Sequence, residues 1–243
     1  MRRGRFVWLL LCGAALLPQA ALAQDITISL DGDTSLAQRG IQLLILITAL
    51  SILPGLVIMV TCFPFLVTVL SILRQGIGLQ SAPPNMLIVS LAMFLTFFIM
   101  EPVLLDAWRS GVSPLLDGTL PPEAAIRETI TPFRVFMEGR VDPETYAAMI
   151  ELRPDAVPPP GEPPSLAALV PSFLLSEIAR AFQIGFLVFL PFLIIDLVVA
   201  AVLMSMGMMM VPPAIVALPF KLAFFVVADG WTLVAEALVR SYQ

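Results

Sequence analysis

The chain has 243 residues, 59% of them hydrophobic and 13% charged, with a formal net charge of −5. A mean hydropathy of +0.97 sets it apart from soluble domains, where about a quarter of residues are charged, and places it with integral membrane proteins or subunits of membrane assemblies. It contains no His, which excludes His-based triads, the usual zinc sites and His-ligated haem.

The first element is a cleavable secretory signal over residues 1–23. A basic start, "MRRGRF", precedes a short apolar run, "VWLLLCGAALL", and a small-residue end, Ala21-Leu22-Ala23. That order predicts cleavage after Ala23, and the run is short for a membrane-spanning helix. Leu11 before Cys12 speaks against a lipoprotein signal, which needs a small residue there. Cleavage removes Arg2, Arg3 and Arg5 and leaves ten basic against eighteen acidic residues, a net charge of −8. An acidic membrane protein is a poor partner for nucleic acid or an anionic lipid surface. Cys62 then stands alone, so no internal disulfide and no Cys-based metal site is expected. The sequence assigns no catalytic, cofactor-binding or metal-ligating residue, and no cofactor.

A short extracytoplasmic segment, 24–40, leads into a first helical hairpin over 41–108. Its first arm lies in a run of 34 residues without a charge, between Arg39 and Arg74, longer than the roughly 20 residues that span a bilayer. Pro54-Gly55 and Pro64 predict kinks in it. After the tight loop "RQGIGLQSAPPN", "MLIVSLAMFLTFFIM" and "EPVLLDAW" return. Residues 109–165 form a polar insert with five Arg against nine acidic residues. Within it "EAAIRETITPFRVFMEGR" suits amphipathic helix, and "RPDAVPPPGEPP" reads as an extended linker. A second hairpin over 166–243 turns at "MSMGMMMVPP". Starting outside, two hairpins leave the insert outside as well, and the turns near 74–84 and 207–213 face the cytoplasm.

Ionisable groups inside apolar segments are costly and are usually paired or functional. Five stand out: Glu177, Arg180, Asp196, Lys221 and Asp229. Glu177 and Arg180 are three apart on a helix and can pair. Lys221, the only Lys, can meet Asp196 across the second hairpin, either as a structural salt bridge or as part of an ion path. Met204, Met206, Met208, Met209 and Met210 crowd the turn. They read either as flexible packing at a helix end or as a soft apolar seal around something that passes.

The stretches "PSFLLSEIARAFQIGF" (171–186), "PFLIIDLVVAAVLMSMGMMMVPP" (191–213) and "LPFKLAFFVVADGW" (218–231) resemble the FliP family of type III export-gate subunits. "LSILRQGIGLQSAPPN" (70–85) and "LTFFIMEPV" (95–103) are similar to the same family's first hairpin. The signal and the "VPP" after the Met run favour the flagellar over the injectisome branch. Two departures stand out: Phe65 where the family often has Arg, and Ser172 where Ala is usual.

The resemblance implies a core subunit of the flagellar export gate in the bacterial inner membrane, at the flagellum basal body, with the insert on the periplasmic side. It is not an enzyme. The implied architecture is all-α: two kinked helical hairpins joined by the polar insert, assembling into a ring or helical pore, with this subunit as a pentamer. FliQ-like and FliR-like subunits and FlhB-like and FlhA-like export components are the implied partners, and unfolded flagellar proteins the substrates. Met206, Met208, Met209 and Met210 become the pore gasket. The gate is further implied to sit raised out of the bilayer plane, against the simple spanning reading of the hairpins. The competing reading is an ion- or proton-coupled small-solute transporter that uses Asp196 and Lys221. A membrane enzyme with Lys221 as base ranks behind it.

Overall fold

The computed structural model describes residues 36–79, 82–157, 159, 161–208 and 210–242. The expected signal over 1–23, its cleavage after Ala23 and most of the segment 24–40 lie outside these residues. The chain divides into two units, one up to Ile47 and one from Thr48 onward. Among the described residues every regular element is helical.

The first helix, α1 (Leu36–Met59), carries Pro54 inside it. In the second unit the uncharged run breaks at residues 60–62. Thr61 gives its hydroxyl to the Ile58 carbonyl, 2.8 Å away, and Pro64 sits in the first turn of α2 (Phe63–Ile77). A Pro there has no N–H to waste, so it starts a helix more readily than it continues one. Gly78 ends α2 in the left-handed region, φ 88°, with its N–H on the Gln75 carbonyl.

Phe65, Leu66, Val69, Leu70 and Leu73 of α2 are all fully buried, each worth about 1.5–3 kcal/mol of transfer free energy before the cost of ordering the chain. This helix is the axis of the core. Ile88, Ala92 and Met100 of α3 (Asn85–Ala107), Ala181 and Phe192 of the long helix α7 (Leu166–Ser205) and Phe225 of α8 (Pro213–Val227) close around it. Val234 and Leu238 of α9 (Gly230–Arg240) complete the cluster. Its packing is most extensive along α7, where Gly185 lets the backbone approach. A Cβ there would lie 2.4 Å from Ile72 Cδ1.

The insert is helical and docks on this body. A π-turn (Trp108–Val112) and the single turn α4 (Ser113–Leu116) continue α3, followed by α5 (Pro122–Glu138) and α6 (Pro143–Leu152). Met137 of α5 joins Leu169 and Phe173 of α7 in a second small core. Asp142 caps α6, its Oδ2 accepting the Thr145 N–H at 2.9 Å. The linker read as extended contains a short 3-10 turn, Pro154–Ala156.

By length and composition three helical segments can cross a membrane, 39–59, 85–116 and 166–205. The pair α8 and α9, bent by 62°, makes a fourth if it counts as one span.

Candidate functional site

The turn after α7 is built from its own sequence. Gly207 takes φ 75°, the Met208 N–H reaches the Leu203 carbonyl at 3.0 Å and the Gly207 N–H reaches Met204 at 3.1 Å. These two bonds satisfy the last carbonyls of α7 in the Schellman pattern, which needs a residue free to adopt positive φ. Pro212 and Pro213 then start α8. The consequence is that the thioethers flank a fixed turn instead of entering a core. Met204, Met206 and Met208 are exposed, and Met210 is 97% exposed; Met209 lies outside the described residues. Met206 also borders an open groove of about 550 Å³ lined entirely by apolar side chains of α7 and α8, among them Ile195, Val199 and Phe220.

An ion pair joins α7 and α8. Lys221 of α8 is buried, and its ammonium lies 2.6 Å from Asp196 Oδ2 of α7 and 3.1 Å from the Gly76 carbonyl at the end of α2. A cation at a helix C-terminus meets the negative end of the helix dipole, so one ammonium ties α2, α7 and α8 together. The Asp196 side chain is 33% exposed, yet its Oδ1 is buried and without a hydrogen-bond partner.

Glu177 is fully buried on α7. Arg180, one helical turn on, is a distant neighbour at 3.5 Å. The closer cation is Arg140 of the insert, whose Nε donates to Glu177 Oε1 at 3.2 Å. The Tyr242 hydroxyl donates to Oε2 of the same carboxylate. Arg140 also donates to the Ser241 carbonyl at 2.8 Å and stands 4.0 Å over the Tyr242 ring. Burial, with the charge of Glu177 beside it, pushes the Tyr242 hydroxyl above its ordinary value, so it stays a donor. Beside the cluster, Ser176 accepts the Asp142 N–H at 2.9 Å while giving its own proton to the Ser172 carbonyl.

Neither Arg140 nor Tyr242 was reachable by spacing, being 37 and 65 residues from Glu177. Their only sequence signal is inventory: a carboxylate on an apolar helix needs donors from elsewhere. Asp229, expected among the buried charges, is exposed. It occupies the bend between α8 and α9 with φ 48°, a conformation that Asp tolerates better than most residues, and a bend opens the side chain to the outside. Among the described residues no group of three or more acidic, Cys or His side chains could hold a metal.

The model of the FliP family matches residues 46–238, which covers the Lys221 cluster, the Met turn and, of the Glu177 cluster, all but Ser241 and Tyr242. Flagellar biosynthetic protein FliP of Caulobacter vibrioides is 46% identical over 230 residues, 94% of this chain and 86% of that protein. The protein of that name from Agrobacterium fabrum is 45% identical over 213 residues, 87% of each chain. Its Bacillus subtilis counterpart is 42% identical over 202 residues, 83% of this chain and 91% of the relative. A family match over most of the chain, joined to relatives this similar along nearly their whole length, means that the chain belongs to the FliP family.

Proposed function

We propose that this chain is a core subunit of the flagellar type III export gate in the bacterial inner membrane, lining the channel through which unfolded flagellar proteins leave. Kinship with flagellar biosynthetic proteins supports the export role, and it is a structural role, not an enzymatic one. The helices long and apolar enough to span support the membrane setting. In the assembled gate five copies form a ring with FliQ-like and FliR-like subunits, the insert lies on the periplasmic side, and FlhB-like and FlhA-like components deliver substrate.

One observation carries the gasket: Met206, Met208 and Met210 are exposed at a capped turn. Thioethers on unbranched stems exclude water and ions yet yield to a passing chain. Around an axis, Met206, Met208, Met209 and Met210 from each copy close a soft ring. The test expresses the gate with its partner subunits and compares ion leak across the inner membrane. Replacing the four Met with Ala raises the leak while the assembled complex keeps its mass; an equal leak rejects the gasket.

The transporter reading rests on one feature, the unpartnered Oδ1 of Asp196. Against it, the Lys221 ammonium is already committed to Asp196 and to the end of α2, which suits a structural tie.

A further inference from the structure

Four segments distant in sequence meet at the Glu177 carboxylate. The insert supplies Arg140 and Phe136, α2 supplies Phe65, α7 supplies Glu177 itself, and the two residues after α9 supply Ser241 and Tyr242. The Tyr242 ring meets Phe65 edge-on at 5.5 Å and stacks on Phe136 at 6.1 Å. Arg140 is bound on three sides, by Glu177, by the Ser241 carbonyl and by the face of the Tyr242 ring. Two of those three contacts come from the segment after α9, as does the hydroxyl donor of Glu177.

We infer that Ser241 and Tyr242 form a latch that holds the insert against α7 and α2. With the latch open, Glu177 keeps only the two arginines, and Arg140 loses the carbonyl and ring that fix its guanidinium. A buried carboxylate short of donors is unstable, so the insert at Arg140 lifts away from α7. Ser241 and Tyr242 are translated after every element they join, so the insert is locked only once α9 is in place. The proposed role of the chain requires no such order, and the latch stands independently of the gasket.

Trypsin reads the latch directly. Arg140 is held inside the cluster, its side chain 16% exposed, whereas Arg127 on α5 is exposed and serves as internal reference. The full chain is digested briefly in mild detergent and cleavage after Arg140 is measured against cleavage after Arg127 by mass spectrometry. In Tyr242→Ala the ratio rises roughly tenfold or more, as expected when the hydrogen bond to a buried charge and the ring contacts are lost together. Tyr242→Phe keeps both ring contacts and removes only the hydroxyl, and its ratio rises several-fold with helicity unchanged. A Tyr242→Phe chain that is cut at Arg140 no faster than the parent overturns the latch, even if Tyr242→Ala fails to fold.

Discussion

Asp142 begins α6 with one carboxylate oxygen that accepts both the N–H and the hydroxyl of Thr145. The bond from that N–H, and then the one from the hydroxyl, hold its carboxyl below the usual carboxylate range. A depressed folded-state value stabilises the fold above the unfolded value and ceases to do so as pH falls through the folded one. Asp142→Ala therefore lowers the thermal midpoint at neutral pH. The gap between variant and parent narrows below about pH 4, which a pair of melting series at stepped pH resolves. Other residues differ in how plainly the sequence announces them. The Asp196–Lys221 tie is legible because these are the only two charges between Arg180 and Asp229, one on α7 and one on α8. Arg140 is not, because nothing periodic links an insert to a helix that follows it. The exposure of Met206, Met208 and Met210 follows from Gly207 and the two prolines, which place them on a turn. Phe65, where relatives of the resembling family often carry Arg, is fully buried against Tyr242, so an apolar ring fills that place here. Ser172, where Ala is usual, is buried with its hydroxyl on the Ala168 carbonyl, which leaves no polar group unmet.

Elements differ in the same way. The periodicity of 123–140 predicts a helix, and α5 forms despite Pro132. The π-turn that precedes it carries no such sign in sequence, because one extra residue per turn is decided by what it packs on. What it packs on is the start of α5. A Cβ at Gly111 would lie 2.6 Å from the Thr129 nitrogen and 2.7 Å from the Ala125 carbonyl, backbone atoms that a rotamer change cannot move. Gly111→Ala thus forces α5 away from the end of α3, at a cost of about 1–3 kcal/mol. Loss of midpoint in a denaturant titration, with Gly139→Ala as a control whose Cβ would meet nothing nearer than 3.6 Å, measures it. Gly139 has φ −69°, which any residue adopts, so the comparison isolates the clash. The division of the uncharged run into α1 and α2 was half legible: Pro54 and Pro64 announce bends, but only Thr61 and the burial of α2 decide which proline breaks the run.

For the whole molecule, the orientation of the insert is the feature to settle. Ala148 on α6 is exposed, and Cys62, the sole cysteine left after the expected cleavage, is fully buried. In intact spheroplasts a membrane-impermeant maleimide labels Ala148→Cys and spares the parent; labelling only after the cells are opened would place the insert on the inner side. The long apolar helices are legible from hydropathy. The depth of packing is not, since it depends on which apolar faces meet. The length of α7 has one more consequence. Its 40 residues extend about 60 Å, twice the roughly 30 Å of a bilayer core. From Glu177 to Met206 is about 43 Å of that axis. A tilt of about 5° at the Glu177 end would swing the Met end by about 4 Å. A rigid helix would act there as a lever arm with the clamped insert near its fulcrum, and Pro191, inside α7 between the two sites, is the point at which that arm would bend.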